Sequence, residues 1–198
     1  KENEVFTKIF LDKHLPTGLI LVYLENGQER SFRVFRGAND KLLINEIDRS
    51  TDLIKQSNYV YFSGFSLVTD PQRSAILRAI DLAKRFNKKL VFDPGAFNLI
   101  KSEKSFFSKL ACLCDVFSPN LKEARAITNR TCLNDVIEKL RERIPLTALK
   151  LDQNGCILIT KDKVIRVPSY NSKCIDPNGA GDAFTAGVIY GVTHGLPL

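Results

Sequence analysis

Asp176-Pro177-Asn178-Gly179-Ala180-Gly181-Asp182 runs straight into Ala183-Phe184-Thr185-Ala186-Gly187-Val188-Ile189-Tyr190. Pro177 and two glycines two apart read as a tight turn, and the apolar run after them reads as a helix. The turn therefore opens a helix. A helix start leaves backbone N–H groups unpaired and carries partial positive charge, so it attracts phosphate, and glycines let that backbone approach an anion closely. Asp182 does not belong among anion-seeking N–H groups unless it has separate work. Two readings stand: it caps the helix, or it takes a proton from an attacking hydroxyl.

Upstream of this turn, strand-like and helix-like stretches alternate. Tyr59 to Gly64, Leu90 to Asp93, Asp115 to Ser118, Thr147 to Leu151, Cys156 to Thr160 and Val164 to Val167 read as strands. Helical spacing follows Thr69-Asp70-Pro71, runs near Glu103 to Cys114, and returns at Asn120 to Ile127 and Asn134 to Arg143, with Asn134 as a cap. The alternation predicts an α/β fold, a Rossmann-like, mostly parallel sheet with helices on both faces. Ligands in such folds gather outside the carboxyl ends of the strands, which puts Gly64, Asp93, Asn120 and the Gly179 turn along one rim. Ahead of the sheet, Leu19 to Glu25 and Glu29 to Phe35 flank Asn26-Gly27, a strong hairpin signal. With no repeat or linker in the chain, residues 1–198 read as one domain with a protruding hairpin at 17–36.

The chain has 198 residues and a net charge of +7. Neither a Lys/Arg block nor an aromatic-laced basic repeat accompanies that charge, so it reads as a solvated basic surface rather than a nucleic-acid footprint. Cys112, Cys114, Cys132, Cys156 and Cys174 are scattered and have no nearby His, which predicts reduced, mostly buried thiols in a cytoplasmic protein rather than a metal centre. No long apolar run suggests a membrane span.

Three further stretches each carry two readings. Asn120 and Glu123 form a capping box by spacing and type, or an amide and a carboxylate that organise hydrated Mg²⁺ beside nucleotide phosphates. Lys150, Asp152 and Gly155 lie in a plain hairpin, or in a strand and turn that touch a nucleotide. Arg36-Gly37-Ala38-Asn39-Asp40 is a loop, or a ligand-facing corner.

Asp176 to Asp182 resembles the D-T-x-G-A-G-D signature of the ribokinase-like (PfkB) carbohydrate kinases, with Pro177 in place of Thr. Asn120 and Glu123 resemble that family's N-x-x-E motif, in the expected order. Lys150 to Gly155 is similar to its K-x-G-x-x-G strand and turn, with Asp152 in place of the first Gly. Asp93-Pro94-Gly95-Ala96-Phe97 stands where many members have D-x-N-x-R, and Gly95 and Phe97 break that pattern.

The resemblance implies a kinase that uses ATP and Mg²⁺, with K⁺ or another monovalent cation near Asp176. Backbone N–H groups of Gly179, Ala180 and Gly181 would form an anion hole, and Asp182 would be the general base. Asn120 and Glu123 would place Mg²⁺ through water. Lys150, Asp152 and Gly155 would line the nucleotide side, and Arg36 and Asn39 would face a small sugar or sugar acid of the fructokinase or 2-keto-3-deoxygluconate kinase type. The hairpin would act as a lid and form a homodimer contact. A nucleoside kinase on the same fold and a non-catalytic nucleotide-binding remnant are the alternatives. A dinucleotide-dependent oxidoreductase is disfavoured, because no G-x-G-x-x-G follows the early strand. Family members begin with a strand bearing a sugar-binding Asp and a G-G-x-x-N turn, and end with a helix beside the adenine. Neither is found in this sequence, so the chain reads as a fragment expected to phosphorylate little by itself.

Overall fold

The computed structural model describes residues 5–25, 29–170 and 176–197. Strands β1 (Leu19–Glu25) and β2 (Glu29–Phe35) pair antiparallel from Leu19↔Phe35 to Glu25↔Glu29, the bounds that the alternation of types predicts. The Asn26-Gly27 turn between them lies outside the described residues, as does Cys174. Neighbouring side chains on a strand point to opposite faces, yet Leu19, Ile20, Leu21 and Val22 are all exposed, so both faces of this ribbon meet solvent.

The remainder runs α1 (Ile44–Asp48), α2 (Thr51–Gln56), β3 (Tyr59–Ser63), α3 (Gln72–Arg85), β4 (Lys89–Asp93), α4 (Phe97–Ser102) and α5 (Lys104–Ala111). It continues through β5 (Val116–Phe117), α6 (Leu121–Thr128), α7 (Leu133–Arg141), β6 (Leu146–Lys150), β7 (Cys156–Thr160), β8 (Val164–Val167) and α8 (Ala180–Thr193). One sheet holds β3 to β8 in chain order. Strands β3 to β6 are parallel, and β7 and β8 add antiparallel pairs.

Alternation along the strands divides the core into two layers. Leu90, Phe92, Phe117, Leu149, Ile157 and Ile159 point into a large core shared with Ile80, Ile100, Phe107, Ile127 and Val136 from α3 to α7. Val91, Val116 and Leu146 point the other way, against Val188, Ile189 and Val192 of α8. Helices thus lie on both faces, but unequally. Successive parallel strands laid down in one direction send each crossover to the same side, because such crossovers share one hand.

Several local expectations are corrected. Helix α7 begins with Cys132 as its cap, and Asn134 lies inside the first turn. Helix α4 arises from Phe97 to Ser102 with no capping side chain to announce it. Cys112 and Cys132 are exposed and Cys156 half-buried, so among the described cysteines only Cys114 is buried, contrary to the expectation of mostly buried thiols. Cys112 and Cys132 flank the ends of short helices, where the chain surfaces. No described helix is long and apolar enough to cross a membrane.

Candidate functional site

The carboxyl ends of the strands meet the first turns of α8. Asp93 ends β4, Ser118 follows β5 and Lys150 ends β6; by alternation all three lie on the same face as Val91, Val116 and Leu146. Thr185, one turn into α8, reaches down to them. Lys150 Nζ lies 2.6 Å from Asp93 Oδ2, and the Thr185 hydroxyl donates to the same oxygen at 2.8 Å. Ser118 Oγ lies 2.9 Å from Thr185 Oγ1. Since the Thr185 proton goes to Asp93, Ser118 is the donor in that contact. Asp93, Ser118 and Thr185 are each buried, and such a charge pair survives burial only with hydrogen bonds of this kind.

Gly179 caps α8 at φ 76° and ψ −4°, in the left-handed region where a glycine is unstrained. The Asn178 N–H donates to Asp176 Oδ1 at 2.9 Å, and the Ala180 N–H to the Pro177 carbonyl at 3.3 Å. The first bond within the helix is the Ala183 N–H to the Gly179 carbonyl, so Gly181 and Asp182 carry its leading donors. Ala180, expected to point its N–H at an anion, instead turns it on Pro177 through this long bond.

Asp182 is the third residue of α8 and is exposed, and no hydrogen bond or ion pair among the described residues holds its carboxylate. Asp182 does not cap the helix, because Gly179 occupies the cap and no side chain bonds there. Asp182 lies three positions before Thr185, which places both on the side of α8 facing the strand ends. The Tyr61 hydroxyl on β3 registers this crowding. Its pKa is pushed up to about 12, first by burial, then by the charges of Asp93 and Asp182.

Asn120 and Glu123 form the capping box in full. The Asn120 N–H donates to Glu123 Oε2 at 2.8 Å, and the Glu123 N–H to Asn120 Oδ1 at 2.9 Å. Glu123 is only 3% exposed, and burial raises its pKa. The Asn120 N–H opposes that rise, Asp93 adds to it and Lys150 opposes it, so Glu123 feels the same charges as the cluster on the strand ends.

Lys150 and its turn part company. The lysine goes to Asp93, with its Nζ 3.8 Å from where a β-carbon on Gly181 would sit. Asp152 stands at φ 53°, a left-handed conformation that explains why a glycine serves at this place in the motif it resembles. Gly155 has φ 81°, and a β-carbon there would lie 2.0 Å from the Val167 carbonyl oxygen, so no other residue fits.

Arg36 and Asn39 serve the foot of the hairpin in the contacts described. Arg36 pairs with Asp40 through Nε, and its Nη2 donates to the Phe65 carbonyl at 2.8 Å and to Gln72 Oε1 at 2.7 Å. Asn39 Oδ1 accepts from the Gly18 N–H at 3.4 Å. Thr185, Ser118 and Tyr61 were not singled out from the sequence. The one available signal was Thr185, a polar residue three places after Asp182 in an apolar helix.

The chain matches, over residues 1–198, the family model described as pfkB family carbohydrate kinase. Fructokinase-1 of Oryza sativa subsp. japonica is 28% identical over 187 residues, which cover 91% of this chain and 58% of that protein. The crystal structure of adenosine kinase from Sinorhizobium meliloti superposes with a TM-score of 0.86 at 26% identity, over 95% of this chain and 58% of that one. A fructokinase double mutant from Vibrio cholerae O395, solved with fructose, ADP and potassium ion, gives a TM-score of 0.75 over 90% of this chain and 59% of that one. Its 23% identity makes that a likeness of fold. The chain spans less than two thirds of the length of each of these proteins.

Proposed function

The chain belongs to the pfkB family of carbohydrate kinases, and from that premise we propose that it carries the phosphoryl-transfer site of an ATP-dependent kinase. The acceptor is a hydroxyl of a small sugar or sugar acid. One observation carries this reading: Asp182 is an exposed carboxylate on the first turn of α8, on the side facing the carboxyl ends of the parallel strands. In that position it takes the proton of the substrate hydroxyl as the hydroxyl attacks the terminal phosphoryl group in line. The leading N–H groups of α8, those of Gly181 and Asp182, with Gly179 beside them at the cap, face the charge that develops on the phosphoryl oxygens.

The donor set fits Mg²⁺. Asn120 and Glu123 offer oxygen, and no group of three or more His, Cys, Asp or Glu side chains among the described residues is placed to hold a metal ion by itself. Mg²⁺ suits such a place because it keeps its waters and takes most ligands from phosphate. Asn120 and Glu123 would hold it through water, and when bound it supplies neutralising charge between the nucleotide phosphates. Asp176 marks the side of the turn for a monovalent cation such as K⁺. Asp152 and Gly155 line the nucleotide side. Arg36 and Asn39 set the foot of the hairpin, which acts as a lid over the sugar and as a homodimer contact in a cytoplasmic protein. Residues 1–198 belong to one catalytic domain.

A nucleoside acceptor is the second reading, favoured by the likeness to an adenosine kinase structure at TM-score 0.86. Thermal-shift screening of sugars against nucleosides separates the two, because a true ligand stabilises by mass action. The test of the common mechanism is Asp182→Asn in the intact protein. Turnover should fall by about two to four orders of magnitude, with nucleotide affinity changed less than about twofold. Near-normal turnover would remove Asp182 from the mechanism.

A further inference from the structure

Lys150 brings its ammonium to the turn, 3.8 Å from where a β-carbon on Gly181 would sit, and its surroundings fix it there. Its side chain is 15% exposed and that of Asp93 is 10% exposed, so neither charge has much water around it. Asp93 Oδ2 receives both the ammonium and the Thr185 hydroxyl, and Ser118 closes the chain of bonds behind Thr185. An ammonium has three N–H donors, and one goes to Asp93. The others remain for whatever occupies the turn.

Gly181 supplies the space. Its missing β-carbon would sit 3.8 Å from Lys150 Nζ, and a residue's own nitrogen lies within about 2.5 Å of its β-carbon. The Gly181 N–H and the Lys150 ammonium are therefore no more than about 6 Å apart, a span that one phosphoryl group bridges with a hydrogen bond to each. A positive point charge beside a helix start adds a charge-assisted bond to a place that already favours phosphate.

We infer that Lys150 binds the terminal phosphoryl group of the nucleotide, and that Asp93, Thr185 and Ser118 are positioning residues that hold its ammonium beside Gly181. This rests on the kinase reading and refines it. The lysine tells a triphosphate from a diphosphate, because only the triphosphate puts a group in the turn. Thr185 ties that recognition to α8, so the residue that reads the phosphoryl group and the helix that bears Asp182 move as one body.

The experiment compares, in the intact protein, the affinities for the β,γ-imido analogue of ATP and for ADP. Lys150→Met should weaken the imido analogue by about tenfold or more, the loss of a charge-assisted bond, and leave ADP within about twofold. The pair Lys150→Met with Asp93→Asn leaves no buried charge unpaired and should lose the same discrimination while staying folded. Thr185→Val keeps every charge and should lose about threefold of the discrimination; Thr185→Ser should retain it. Combined with Lys150→Met, Thr185→Val should add nothing further, since it acts through the lysine. Equal losses for both nucleotides, or thermal destabilisation with unchanged discrimination in the paired variant, would make Lys150 a structural tether and overturn the inference. If the unaltered protein bound neither nucleotide, the kinase reading itself would fall, which is a different result.

Discussion

The two faces of the sheet are built from the same strands and do different work. On the broad face, Phe92 stacks with Phe62 at 4.7 Å, Phe117 at 5.7 Å and Phe107 at 6.1 Å, under a layer of helices from α3 to α7. On the other face a small apolar patch on α8 gives way, toward the strand ends, to Asp93, Ser118, Lys150 and Thr185. A strand places neighbouring side chains on opposite sides, so Phe92 and Asp93 are adjacent in sequence and belong to different layers. Apolar packing is concentrated on one face, and buried polar and charged groups on the other.

The largest effect on stability that would break this division is loss of the aromatic hub. Phe92→Ala should cost about 3–5 kcal/mol in urea unfolding, the usual range for a buried Phe. A cost below about 1 kcal/mol would mean that the helical layer is not the stabilising one. Next comes the one polar flaw among the described residues of that layer. Thr147 is fully buried on the Leu149 side of β6, and its Oγ1 has no hydrogen-bond partner there. Thr147→Val should therefore raise stability by about 1 kcal/mol, as removal of an unsatisfied buried group does. A drop in the melting temperature would show that the hydroxyl is bonded after all.

The smallest effect is also the sharpest contrast, because two glutamates should respond to pH with opposite signs. Glu123, at the rim, has a folded pKa raised above 4.5 by burial, so the folded state holds its proton more tightly than the unfolded state. Its contribution is present below 4.5 and fades as pH rises through the folded pKa. Glu103 sits between α4 and α5, and bonds to the Arg73 guanidinium at 2.9 and 2.5 Å hold its pKa below 4.5. Its contribution is present above 4.5 and lost as pH falls. Glu103→Gln should cost about 0.2–1 kcal/mol at neutral pH and flatten the acid limb of the stability curve. Glu123→Gln keeps a capping-box side chain and should remove the decline above 4.5. Two curves that shift in the same direction would refute the pairing of burial with one and charge with the other.

Much of the fold was legible in the chain. The hairpin strands, β3, β4, β7 and β8 fall within a residue of where apolar runs and turn signals put them, because those signals are local. Helix α4 escaped, since six residues without a cap carry little periodic signal. At the candidate site, the capping box of Asn120 and Glu123 could be read from spacing, and so could the turn from which α8 and Asp182 follow. The partners of Lys150 could not, because Asp93 and Thr185 are 57 and 92 residues away along the chain from Lys150 and Asp93 respectively.

Local order was written in the sequence: which segments are strands, where glycine must stand, and that a helix opens at Gly179. Periodicity and turn chemistry act between near neighbours, so they survive in one dimension. Only the tertiary structure decided that one face takes most of the helices, that Asp182 is left open while Glu123 is used in a cap, and that Lys150 leaves its own turn for another. Those outcomes depend on which strand ends meet, and strand order is set by crossovers and packing over distances that no local pattern encodes.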